Sequence, residues 1–459
     1  MNFSDLLQKS RIVAEPNEEL TPEISASLGA AMGTLLKNQG TITVARDFRP
    51  DNRMLKRAFV SGIMSAGLNI MDLTAAPIPV LQFAIRRFGT VGGVMFTSHH
   101  VHHSDKIEVK MYNRSGIEYN RKDVQNLLNI CEQDKIKRSK SNKIGNLIQT
   151  LEVNELYERA ITEFIDAASF EDLNLQIVVD CSNGPIGAII PSLLSRVGVE
   201  VVALNSYSPS ILKRLPTSSS LKKLSKVITS TDANFGVCFD VDGSRIIFFD
   251  EQGNYIPSDL MLTLFVIEQL KKKASVFITT ETTTKILEQI IGEVPGAKLI
   301  RVKNIPGQVA NTVRVRRAHF GGSDTGKLRF PEYAFFSDTA LATLKLLEVI
   351  VKSGKTLTEL LADTPQIKKS QYEISTSNEK MTNFHEIIER NLSDLKVIDT
   401  LIGLKIFFGS DLGWIHIVPS FDENKLLLSG EFSKPAKGPE LFKTVEYALE
   451  GKLTKPHLK

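Results

Sequence analysis

A short β-branched run, a turn, then a segment of helical spacing recurs along this chain and limits what it can fold into. The unit appears as Thr41-Ile-Thr-Val-Ala45 before 52–66, Gln176-Ile-Val-Val-Asp180 before 186–197, and Ser275-Val-Phe-Ile-Thr279 before 284–291. Strands that alternate with helices bury their apolar faces in parallel or mixed sheets covered on both sides. At 459 residues the chain has room for three or four such units. A polar, helix-prone stretch over 125–164 suits a domain-joining helix, and a fresh strand begins near Leu173. The strand pair 236–239 and 245–250 closes the second unit, and a long helix over 338–352 with the stop at Pro365 closes the third. The expected units are 1–150, 165–255, 256–366 and 370–459. The last reads differently, with short runs at 372–374, 404–408, 414–418 and 425–428 around a charged helix at 384–392. Antiparallel strands with helices on one face explain that order. The expected class is α/β: three similar mixed-sheet domains plus a smaller α+β C-terminal domain.

Composition excludes several functions. The 56 basic and 52 acidic residues leave a net charge of +4, too small to argue for a nucleic-acid or anionic-membrane partner. Cys131, Cys181 and Cys238 lie far apart, so neither a disulfide framework nor a thiolate metal site is expected. The opening Met1-Asn-Phe-Ser-Asp5 lacks a basic-then-apolar leader, and no run approaches about 18 apolar residues. A cytoplasmic setting is the expectation.

Along these units a series of motifs follows in order: Ala45-Arg-Asp-Phe-Arg49, Ala75-Ala-Pro-Ile-Pro-Val80, Gly92-Gly-Val-Met-Phe-Thr-Ser-His99, Val178-Val-Asp-Cys-Ser-Asn-Gly184, Phe239-Asp-Val-Asp-Gly-Ser-Arg245, Phe320-Gly-Gly-Ser-Asp-Thr-Gly326 and Gly413-Trp-Ile-His-Ile-Val-Pro-Ser420. Their order and spacing resemble the α-D-phosphohexomutases, the phosphomannomutase, phosphoglucomutase and phosphoglucosamine mutase group, over nearly the whole chain. The resemblance implies four domains around one central cleft and a place in carbohydrate metabolism. It also implies a phosphoserine, held near Mg²⁺, that exchanges phosphoryl groups with a hexose phosphate. Such chemistry needs a nucleophile, a cation on the transferring oxygens and a grip on the non-reacting phosphate.

Carried onto this chain, the resemblance marks Ser98 or His99 as nucleophile: His99 if the loop is aligned without a gap, Ser98 if one residue is deleted. It marks Arg46 and Arg49 as catalytic arginines, and Asp240, Asp242 and Ser244 as the Mg²⁺ loop. Arg245, Ser323, Asp324, Thr325 and Ser420 fall at substrate contacts. Most of these loops depart from the family form. His100 and Val101 replace asparagine and proline, and Glu108 stands where a general-base lysine belongs. Lys106 and Lys110 share its strand face but lie about 6.6 Å away along the strand. Ser244 removes a carboxylate, which weakens the Mg²⁺ site. Ser323 and Asp324 replace two glutamates; a retained sugar contact and a plain turn are both open readings there. Val418 replaces a phosphate-binding arginine, and Phe421 and Asp422 replace glycine and threonine. The histidines between His99 and His103 read as a transition-metal site, a phosphohistidine nucleophile or a polar cleft loop. The expectation is a family member that binds a hexose phosphate or pairs with an intact relative, its mutase activity lost or strongly reduced. The alternative is an active Mg²⁺-dependent mutase working through Ser98.

Overall fold

The computed structural model describes residues 3–8, 10–99, 105–150, 152–166, 170, 174–206, 216–365, 369–420 and 425–452. The first sheet contains β1 (Leu7–Gln8), β2 (Arg11–Ala14), β3 (Thr41–Arg46), β4 (Asn69–Ala75), β5 (Gly92–Ser98), β6 (Ile107–Asn113) and β7 (Leu147–Gln149), in the order β1-β2-β6-β5-β3-β4-β7. The second contains β8 (Gln176–Asp180), β9 (Glu200–Leu204), β10 (Phe235–Phe239), β11 (Ile246–Phe249) and β12 (Tyr255–Ile256), in the order β12-β11-β10-β8-β9. The third contains β13 (Val276–Thr280), β14 (Lys298–Val302), β15 (Phe320–Ser323) and β16 (Lys327–Arg329), in the order β14-β13-β15-β16.

One device recurs in all three sheets. A strand lies parallel to its neighbour on one side and antiparallel to the next strand on the other: β5 between β3 and β6, β10 between β8 and β11, β15 between β13 and β16. Parallel strands buried on both faces read as unbroken apolar runs, which is why β8 centres on Ile177-Val-Val179 and β10 reads Phe-Gly-Val-Cys-Phe with every residue buried. The turns of the three antiparallel pairs carry the nucleophile, aspartate and sugar motifs. One continuous apolar core runs through these three units, from Ala45 to Leu361.

The fourth sheet is wholly antiparallel: β17 (Ser370–Ser375), β18 (Lys396–Asp399), β19 (Leu404–Phe407), β20 (Gly413–Pro419) and β21 (Lys425–Phe432), in the order β17-β21-β20-β19-β18. Its apolar face carries Leu404, Ile406, Ile415 and Ile417 at period two, and meets Phe384 and Ile388 of helix Asn378–Asn391 and Phe442 and Val445 of helix Gly438–Glu450. The expected three mixed-sheet α/β units and the smaller α+β C-terminal unit are thus present.

Some local expectations need correction. The stretch 125–164 is two helices, Arg121–Glu132 and Val153–Phe164, because Asp134 turns left-handed (φ 49°) and Leu147–Gln149 pairs with β4 instead. The helix expected over 186–197 breaks into a 3₁₀ turn and Ile190–Arg196, with Pro191 in its first turn, where no amide donor is required. Among the described residues no helix is long and apolar enough to cross a membrane, and all three cysteines are buried free thiols.

Candidate active site

Ser98 ends β5 and is buried. Its amide and its hydroxyl both donate to Asp47 Oδ2, at 2.7 and 2.8 Å. The other oxygen of Asp47 accepts from Asn52 Nδ2 at 2.7 Å and Arg49 N at 2.9 Å. Burial pushes the Asp47 carboxyl up, and the donors from Asn52 and Ser98 oppose it. The Arg46 guanidinium donates to the Asp47 carbonyl at 2.6 Å, while Arg49 pairs with Asp51 and reaches the Asp105 carbonyl at 3.0 Å. Both arginines therefore tie down the turn that presents Asp47. The sequence reading named the arginines and passed over the aspartate between them.

Behind this turn, charges of alternating sign form a ladder. Arg11 on β2 grips Glu118 with two nitrogens, at 2.5 and 3.1 Å, and reaches Glu108 at 3.4 Å. Glu108 lies 3.1 Å from the Lys110 ammonium and 2.6 Å from His99 Nδ1. Lys110 then donates to Asp242 Oδ2 at 2.5 Å, joining the first unit to the second. Burial disfavours the charge on Lys110, but Asp242 and Glu108 outweigh it and hold its pKa up. Arg11 is held up the same way, by Glu118 and Glu108 against burial. His100, Val101, His102 and His103 lie outside the described residues, so of the histidine cluster only His99 is placed here.

The aspartate loop follows β10. Asp240, Asp242 and Ser244 come together as expected, all buried. Each of the four carboxylate oxygens accepts from a protein donor. Asp240 Oδ1 takes Arg245 N at 2.9 Å and Oδ2 takes Ser244 Oγ at 3.3 Å; Asp242 Oδ1 takes Ser244 N at 3.0 Å and Oδ2 takes Lys110. Burial, then the neighbouring Asp242, pushes the Asp240 carboxyl up to about 7. Mg²⁺ asks for near-octahedral oxygen ligands with water retained. Two carboxylates could supply part of that set, but the Lys110 ammonium seated on Asp242 takes the place of the ion, and the loop in this arrangement does not fit it. The loop is instead a joint: the Ile78 amide donates to the Asp242 carbonyl at 2.8 Å, Ser337 to Ser244 O at 3.0 Å, and Thr339 to Gly243 O at 2.7 Å.

A cavity of about 640 Å³ opens where the three turns and the fourth unit meet. His99, Arg245, Ser323 and Thr325 line it together with Arg11, Lys327 and Arg329, which the sequence reading missed. Lys327 and Arg329 are two apart on β16 and so project to one face. Nε of Arg245 and both Nε and Nη1 of Arg329 are buried with no hydrogen-bond partner. Burial, then repulsion from Arg245 and Arg11, lowers Lys327 to about 7, and burial lowers Arg329 to about 10. Buried guanidinium nitrogens without partners beside a cavity are costly, and an anionic ligand would relieve them.

Asp324 does not join this lining. It lies 2.9 Å from the ammonium of Lys405, which extends from β19 of the fourth unit. Lys405 also bonds Asp259 Oδ2 at 3.1 Å and the Thr282 carbonyl at 2.6 Å, and caps the Trp414 ring at 3.6 Å. Asp324 Oδ1 also accepts from Thr280 and Thr282 at 3.0 and 3.1 Å, so Asp324 braces its own loop and latches the third unit to the fourth. Ser323 and Thr325 hydroxyls bond each other at 2.8 Å. The Ser420 amide donates to Lys425 O at 2.9 Å, and Val418 packs against an apolar cluster formed by Leu401 and Ile402 of its own unit and residues of the second unit. Phe421 and Asp422 lie outside the described residues.

Comparison with known proteins agrees with this architecture. Models of the phosphoglucomutase/phosphomannomutase alpha/beta/alpha domains I, II and III match residues 8–138, 155–253 and 257–367 in succession. A phosphoglucomutase/phosphomannomutase of Thermococcus kodakarensis is 30% identical over 447 residues, covering 95% of this chain and 97% of that one. A probable phosphoglucosamine mutase of Pyrococcus furiosus is 29% identical, covering 96% of this chain and 97% of its own. The crystal structure of a phosphoglucomutase/phosphomannomutase family protein from Burkholderia thailandensis shares the fold at a TM-score of 0.74 and 22% identity, over 98% of both chains. The chain belongs to the phosphoglucomutase/phosphomannomutase family of α-D-phosphohexomutases.

Proposed function

We propose that this protein binds a hexose phosphate in the central cleft and has lost, or retains only a small part of, its mutase activity. The observation that carries the proposal is the surroundings of Ser98. Its hydroxyl is spent on the carboxylate of Asp47, which also takes the Ser98 amide. A phosphoryl group on Ser98 would sit beside carboxylate charge. Two unit charges about 4 Å apart repel by roughly 4 kcal/mol at an effective dielectric constant near 20. Nothing in this proposal passes through a metal, since the aspartate loop does not fit one. The cleft nevertheless keeps Arg245, Lys327 and Arg329 facing its space, which supports ligand capture without phosphoryl transfer. The units 1–150, 165–255, 256–366 and 370–459 are carried forward as part of the proposal.

Two measurements on the purified protein test this. Calorimetry with glucose 6-phosphate and mannose 6-phosphate should show binding that Arg329→Met abolishes. A coupled mutase assay with glucose 1-phosphate and mannose 1-phosphate, with bisphosphate activator and Mg²⁺, should show turnover far below the usual enzyme range. Turnover of about 1–1,000 per second, or phosphate found on Ser98 by intact mass, would overturn the proposal.

A further inference from the structure

Lys110 stands on β6 two residues after Glu108, so both side chains leave the same face of the strand. Its ammonium is fully buried and bridges two carboxylates from different units, Glu108 at 3.1 Å and Asp242 at 2.5 Å. A buried cation bridging carboxylates across a domain boundary is the electrostatic task that a divalent ion performs in an acidic loop. Here the chain carries that cation itself. The Ser244 substitution acts in the same sense: it removes one negative charge, and its hydroxyl donates to Asp240 where a carboxylate would only accept.

We propose that the Lys110 ammonium takes the place of a divalent metal in the loop from Asp240 to Arg245, so that the loop is closed by a resident cation and takes up no Mg²⁺ or Mn²⁺. The inference is independent of whether a hexose phosphate binds, because it concerns the loop and not the cavity. An ammonium 2.5 Å from Asp242 Oδ2 competes with a metal for that oxygen and repels it, so closing the loop with one disfavours the other. The positive charge at this joint therefore persists whatever the metal supply.

The test is a Mn²⁺ titration of the full-length protein followed by electron paramagnetic resonance, with thermal melts in EDTA and in Mg²⁺. The expected result is no bound Mn²⁺ up to about 1 mM, a concentration at which even weak protein cation sites begin to fill, and the same melting temperature in both buffers. Stoichiometric Mn²⁺ binding tighter than this, lost in Asp242→Asn, would overturn the proposal. A second arm joins Lys110→Met to Ser244→Asp, which removes the ammonium and supplies a third carboxylate. That variant should bind one Mn²⁺ and melt higher in its presence. A folded double variant that ignores Mn²⁺ would also overturn the proposal, and the wild-type titration decides the matter if the variant does not fold.

Discussion

Replacing Lys405 with methionine should loosen the fourth unit from the third, and the chain carries its own reporter of that event. Lys405 is buried, with Asp259 and Asp324 as counter-charges, a carbonyl acceptor in Thr282 and the Trp414 ring beneath it. Burial disfavours its charge, but the two carboxylates more than compensate and raise its pKa; Asp259 is correspondingly lowered despite its burial. Methionine matches the aliphatic stem but leaves two buried carboxylates with no bonded cation and only Lys369 as a neighbouring positive charge. Breaking a buried pair from one side costs about 3–5 kcal/mol, because the stranded charge stays desolvated. The cation–π contact adds roughly 0.5–2 kcal/mol. Trp414 is the sole tryptophan of the chain and is buried, so its emission follows the fourth unit alone. In urea, Lys405→Met should bring the emission transition well ahead of the helical signal, by a free-energy difference of about 4 kcal/mol. Adding Asp324→Asn should recover at least about 1 kcal/mol, the coupling expected of contacting charges. A single-variant loss below about 1 kcal/mol, or emission and helix signals that stay coincident, would refute the latch.

Other outcomes follow from residues already described. Burial, then Lys405 and Lys369, lowers His416 to about 3, so the folded state keeps it neutral where the unfolded chain, with a value near 6.5, takes up a proton. Its contribution is complete above about pH 6.5 and is lost as pH falls toward 3, by at most roughly 1.4 kcal/mol per unit; His416→Gln should flatten that part of the stability profile. Arg329→Met removes a buried guanidinium with two unpartnered nitrogens, and should raise the melting temperature while lowering hexose phosphate affinity at least about tenfold. A variant less stable than wild type would contradict that account of the cavity. Gly326 has φ +77°, and a Cβ there would lie 2.3 Å from the Ile246 carbonyl, where the second and third units meet. Gly326→Ala should therefore cost more than the roughly 1 kcal/mol of a strained backbone alone, read as an earlier denaturation midpoint; a cost below that would mean the joint yields easily.

The sheets were legible in the sequence because strand and helix periods alternate strongly in the first three units, and because glycine and proline mark their turns. What was not legible was pairing across domains. Lys110 was weighed as a displaced catalytic base, since spacing along one strand says nothing about an aspartate 132 residues away in sequence. Asp324 was read within its own loop for the same reason, while its partner Lys405 lies in another unit. Lys327 and Arg329 did carry a local signal: two cations at period two after a glycine turn, on a strand that ends at a site loop. The edge strand β18 was missed because Lys396–Asp399 is short and only half-buried, so its pattern is weak.

Val418 has a consequence for how this chain can change. It is not merely a missing arginine. Its half-buried side chain packs against the apolar cluster that Leu401 and Ile402 share with Val178, Leu221 and Phe249 of the second unit. An arginine restored there would have to insert a guanidinium into that apolar seam before any phosphate could reward it. Val418→Arg alone should therefore lower stability before it can raise affinity for a phosphate, because the position serves the seam between the second and fourth units.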